Sequence, residues 1–113
     1  GLSWTWQSCD GPRCLNMVYA DSLNAVSRPG FKFSASSEYP NAVADLRRSF
    51  ETLEKLSCDV LISAHPEASQ LWERLEASAT AGSEAFIDPQ ACRAYVAAAR
   101  TVLESRLEQE KQQ

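Results

Sequence analysis

One histidine, His65, stands in a chain of 113 residues, and its neighbours make it the first side chain to weigh for chemistry. It closes the nearly continuous apolar run 59–64 (Asp-Val-Leu-Ile-Ser-Ala), and Pro66 behind it restricts its backbone to extended geometry. An imidazole at a strand end is well placed to ligate a metal, although a lone histidine also serves as a structural residue with its hydrogen bonds satisfied. A zinc site needs three or four donors, so any metal at His65 must be completed from elsewhere. A second polar group, Asp21-Ser22-Leu23-Asn24, follows a strand-like run and can point into a cleft. The same residue types are common in turns, where their side chains bond to nearby backbone. There is no glycine-rich phosphate loop, and a Ser/His/Asp triad cannot be argued from order alone.

Four cysteines, Cys9, Cys14, Cys58 and Cys92, form an even set in a short chain. That suits two disulfides and an oxidising compartment, periplasmic or secreted. The competing metal-knuckle reading is weaker, because knuckles keep two to four residues between ligands while Cys58 and Cys92 each stand alone.

The elements that position these residues follow from periodicity. Leu2, Trp4 and Trp6 alternate with Ser3, Thr5 and Gln7, which predicts a half-buried strand with both tryptophans in the core. Asp10-Gly11-Pro12 breaks it, and residues 15–20 (Leu-Asn-Met-Val-Tyr-Ala) resume a strand, so Cys9 and Cys14 flank a hairpin turn and can meet across it. Residues 21–37 read as a long loop with one short alternating piece at Phe31 and Phe33. From Pro40, Val43, Leu46, Phe50 and Leu53 recur at helical steps. The run 59–64 predicts a strand covered on both faces. A short helical pattern at Leu71, Trp72 and Leu75 loosens into a loop from Ala79 to Ser83. Asp88-Pro89 then caps a last helix whose buried stripe holds Cys92, Tyr95, Ala99 and Leu103, and whose polar end from Glu108 frays. The fold class is α/β, a mixed sheet with helices on one face. That leaves the other face bare, so a second half of similar size is expected to cover it.

Charge and composition narrow the partners. A net charge of −4, with the acids scattered along helical stretches, offers no basic row to neutralise phosphates, which argues against nucleic acid. No apolar stretch approaches the roughly 20 residues of a membrane span, and the start lacks the features of a signal peptide. The numbered chain is therefore expected to begin inside something larger or after processing.

Several segments taken together resemble subclass B3 metallo-β-lactamases: Trp4-Thr5-Trp6, Tyr19-Ala20-Asp21-Ser22-Leu23, the Tyr39-Pro40 helix start with residues 45–50, and the stretch from Cys58 through His65-Pro66. The resemblance runs from Leu2 to about Leu103. It implies an αβ/βα sandwich with a two-zinc site between its sheets, of which residues 1–113 are the C-terminal half of a single domain. His65 is then a ligand of the second zinc, with the remaining ligands upstream. Ser22 falls where related subclasses use a cysteine ligand, and in this subclass orients water and the substrate carboxylate. Asn24 sits where Ser or Thr is frequent, and its amide can donate the same hydrogen bond. Asp21 lies behind the metal ligands, and no residue of this chain is assigned as catalytic. The spacing of Cys58 and Cys92 matches the disulfide typical of the subclass, and Cys9 with Cys14 resembles an extra bridge of some members.

The implied activity is hydrolysis of the β-lactam amide bond of penicillins, cephalosporins and carbapenems, giving antibiotic resistance. Two zinc ions lower the pKa of bound water, and the hydroxide attacks the strained carbonyl. This chain alone would be inactive and would require the N-terminal half. Two alternatives differ in kind. A lactonase or thioester hydrolase of the same superfamily would use the same metals on another substrate. A disulfide-stapled secreted binding module would instead fold alone without zinc.

Overall fold

The computed structural model describes residues 3–20 and 40–112. The loop 21–37, with its Phe31 and Phe33 piece, lies outside them. A hairpin of two antiparallel strands opens the chain, β1 (Ser3–Asp10) and β2 (Arg13–Ala20). Gly11 takes φ 60° at the first of the two turn positions, the backbone that a tight two-residue hairpin demands there and that glycine adopts without a Cβ clash. Pro12 fills the second position, where no ladder donor is needed. Cys9 pairs directly with Cys14 in the register, and the two form a disulfide with Cα atoms 4.0 Å apart.

Helix α1 (Ala42–Glu54) carries the chain from β2 to β3 (Val60–Ser63), which lies parallel to β2 and completes the order β1-β2-β3. A parallel neighbour needs such a crossover, whereas the hairpin needs only a turn. Asp59 knits the start of β3 to its surroundings. Its carboxylate accepts the Asn16 N–H at 2.7 Å, its own N–H donates to the Asn16 carbonyl at 2.8 Å, and its carbonyl accepts the Asp88 N–H at 2.7 Å.

Beyond β3 come a 3-10 turn (Pro66–Ser69), helix α2 (Leu71–Ala81), a second 3-10 turn (Gly82–Phe86) and the long helix α3 (Ala91–Lys111). The core lies between one sheet face and the two outer helices. Val18, Ala20 and Leu61 meet Phe50 and Leu53 of α1 and Cys92, Val96, Ala99 and Leu103 of α3. The α3 residues recur at three- and four-residue steps, which is the stripe that a helix buries against a sheet. A disulfide between Cys58 and Cys92 ties the start of β3 to that stripe. Arg100 adds a two-pronged ion pair to Glu54 and lies over the Phe50 ring at 5.8 Å, so α1 and α3 are joined at their solvent edge as well. Among the described residues no helix is long and apolar enough to cross a membrane.

Four local expectations need correction. Helical structure does not loosen at Ala79: α2 runs to Ala81, and the 3-10 turn follows where Gly82 takes φ 64°. The cap of α3 is Gln90, two residues beyond Asp88, whose carboxylate accepts the Gln90 N–H at 2.9 Å. The polar end of α3 stays helical to Lys111, because Arg106 pairs with the buried Glu110 at 3.2 Å and Leu107 packs on the core. Finally, Trp4 and Trp6 do not enter this core. They are 64% and 45% exposed, on the sheet face turned away from α1 and α3.

Candidate metal centre

His65 stands directly beyond the carboxyl end of β3, and hydrogen bonds on both sides set its backbone. The Ala64 N–H donates to the Ala20 carbonyl at 3.3 Å, extending the parallel ladder one residue past the strand. The His65 N–H donates to the hydroxyl of buried Ser63 at 3.2 Å, and the His65 carbonyl accepts the Ala68 N–H at 3.0 Å. Pro66 holds His65 extended at φ −111° and ψ 110°, as its ring requires. The side chain is exposed, and its ring has no hydrogen-bond partner among the described residues.

Two bonds from side chains add to the backbone bonds of the turn beyond His65. The Ser69 hydroxyl donates to the Pro66 carbonyl at 3.2 Å, and Arg74 reaches back from α2 to the Ser69 carbonyl at 3.1 Å. Arg74 also donates to the Ala85 carbonyl at 3.3 Å and to the Asp88 carboxylate at 3.1 Å. The N–H of Gln90, and then the Arg74 guanidinium, hold the Asp88 carboxyl below the usual carboxylate range. Gln70 takes φ 59° between the turn and α2, a left-handed backbone uncommon for a side chain of its type.

An imidazole with an unengaged ring on a fixed strand end fits one position of a zinc site. It does not make a site by itself: among the described residues no three His, Cys, Asp or Glu side chains gather where an ion could sit. Asp21, Ser22 and Asn24 lie outside the described residues. Ala20, which precedes them, pairs with Ser63 two residues before His65. The expected cysteine pairs are both formed, Cys9 with Cys14 and Cys58 with Cys92.

The sheet face opposite the helices is apolar and open. Register places Trp4, Tyr19 and Ile62 in one cross-strand row and Trp6, Met17 and Val60 in the next. Ile62 is 41% exposed, so among the described residues β3 is covered on one face, and the expectation of cover on both is met there on one side only. A groove of about 560 Å³ crosses this face, walled by Met17, Val60 and Ile62 on the sheet and by Leu71, Phe86 and Arg74 beside it. His65 is not part of that wall.

No protein-family model matches the chain. Among solved structures, Rm3 metallo-β-lactamase matches 98% of the chain with 90% identity and a TM-score of 0.97. MEM-A1, a subclass B3 metallo-β-lactamase isolated from a soil metagenome library, matches 98% with 49% identity and a TM-score of 0.93. The chain folds as the C-terminal portion of a subclass B3 metallo-β-lactamase. SMB-1, a metallo-β-lactamase solved in complex with mercaptoacetic acid, agrees at 50% identity over 97% of the chain and a TM-score of 0.90. The chain spans 41–42% of the length of these three structures. In the metallo-β-lactamase frame, the Arg74 network is the feature that the reading of the sequence missed. The sequence marks it only by Arg74 standing one helical step from Leu71.

Proposed function

We propose that the complete protein carrying this chain hydrolyses the amide bond of β-lactam antibiotics with two zinc ions, acts in the periplasm or after secretion, and gives antibiotic resistance. This chain is then the C-terminal half of a single sandwich domain. The observation that carries the reading is the match to Rm3 metallo-β-lactamase at 90% identity over 98% of the chain. His65, exposed on a strand end with its backbone fixed, supports the zinc-ligand role. The open apolar rows through Trp4, Trp6 and Ile62 support a second half docked on that face, since apolar surface of this kind gains about 25 cal/mol per Å² when covered.

When bound, zinc lowers the pKa of water at the site and polarises the lactam carbonyl. The parts played by this chain are narrower. His65 donates a ring lone pair from a fixed position. The Ser22 hydroxyl and the Asn24 amide hydrogen-bond the substrate carboxylate, with Asp21 behind the ligands.

Turnover of a penicillin, a carbapenem and a simple lactone by the complete protein tests the substrate class. Hydrolysis of both lactams, blocked by mercaptoacetic acid, is expected. Lactone turnover with both lactams untouched would assign the protein to another hydrolase class.

A further inference from the structure

We infer that Arg74 is a positioning residue for His65, acting by bracing β3 at both ends. The inference rests on the reading of His65 as a zinc ligand and adds a residue to which that reading gives no role. Arg74 spends three donors on three separate pieces of chain: the Ser69 carbonyl, the Ala85 carbonyl and the Asp88 carboxylate. The Ser69 side follows to the turn at Pro66 and so to His65, at the far end of β3. The Asp88 side follows through the Asp88 N–H to the carbonyl of Asp59, at the near end of β3. One guanidinium therefore closes a circuit around the strand that carries His65.

The side chain fits that task. It is 18% exposed, so its bonds are shielded from competing water. Guanidinium presents its donors in a planar fork that an ammonium cannot imitate. The local backbone is also committed to the arrangement: left-handed Gln70 starts α2 so that its carbonyl accepts the Arg74 N–H at 3.0 Å, which places Arg74 one turn along the helix. Partners hydrogen-bonded to a metal ligand typically change metal affinity about 10–100-fold when removed, and Arg74, which reaches His65 only through Ser69 and Pro66, belongs at the low end of that range.

The test uses the complete protein, stripped of metal and titrated with zinc against a competing chelator, and then with cobalt for its ligand-field spectrum. Arg74→Lys keeps the charge beside Asp88 and loses the fork. It is expected to weaken one of the two metal ions about 10-fold, to leave the other unchanged, and to alter the cobalt bands of the weakened site. Asp88→Asn takes the charge from one of the three contacts and leaves a single acceptor oxygen for two donors, the Arg74 guanidinium and the Gln90 N–H; it should act in the same direction less strongly, and it carries the test if Arg74→Lys fails to fold. A fall in the melting temperature of the metal-free protein with both affinities and the cobalt spectrum unchanged would reduce Arg74 to a structural brace. His65→Ala separates the two levels of failure. If it leaves both affinities intact, the ligand reading falls and this proposal with it; if it weakens one ion while Arg74→Lys and Asp88→Asn do not, only the role of Arg74 falls.

Discussion

The two faces of the small sheet differ in what the described residues provide for them. On one, Val18, Ala20 and Leu61 are sealed by α1 and α3 into a core with Phe50 and Leu103 fully buried. On the other, Trp4, Trp6 and Ile62 stand open although they are as apolar as the residues opposite. The contrast separates what a sequence says from where it is satisfied. Apolar periodicity reports that a face is to be covered, and it is silent on whether the cover lies in the same stretch of chain.

Substitutions in the complete protein can sharpen this contrast, and the largest effect belongs to the sealed face. Phe50→Ala should lower the unfolding free energy by about 3–5 kcal/mol in denaturant melts, through lost burial and the cavity left behind. Opening the Cys58–Cys92 disulfide, which closes 34 residues on that side, should cost roughly 4 kcal/mol by the chain-entropy model, read from melts of Cys58→Ser with Cys92→Ser. Ile62→Ala on the open face decides what lies there. A loss of at least about 2 kcal/mol is expected if the second half covers it, whereas a change within about 0.5 kcal/mol would mark a solvated face. Opening the Cys9–Cys14 disulfide at the exposed hairpin tip should cost roughly 2 kcal/mol, because its loop is only five residues long.

The smallest effect is electrostatic. Arg100 holds the Glu54 carboxyl below its ordinary range, as the Gln90 N–H and Arg74 do for Asp88. A carboxyl depressed in the folded state contributes stability that is fully present above its unfolded value, about 4, and that is lost as pH falls through the folded value. Melting temperature should therefore be flat near neutrality and decline below about pH 4. Glu54→Gln should remove part of that decline, with little change at pH 7. A decline of the same depth in Glu54→Gln would exclude this pair as a contributor.

Much of the fold was legible because local rules and burial agree there. The hairpin is marked by Asp10-Gly11-Pro12 between two alternating runs, α1 by Val43, Leu46, Phe50 and Leu53, and β3 by an apolar run ending at a proline-restricted histidine. The errors fall where distant contacts decide. Glu108 to Lys111 is too polar to look anchored, yet Glu110 is buried and Leu107 packs on the core, which holds the helix to its end. Trp4 and Trp6 look like core and are core-forming in type, but their face looks away from α1 and α3. The candidate site was legible at His65 alone, since Pro66 and the strand end are local features. The Arg74 bracket joins positions 59, 69, 74, 85 and 88, and no spacing in the sequence announces that they meet.

The most direct test of the zinc-enzyme reading is the zinc content of the complete protein, measured after dialysis for the unaltered sequence and for His65→Ala. About two ions falling to about one, with lactam hydrolysis falling alongside, is the expected result. Equal zinc content in the two proteins would contradict the assignment of His65 as a ligand.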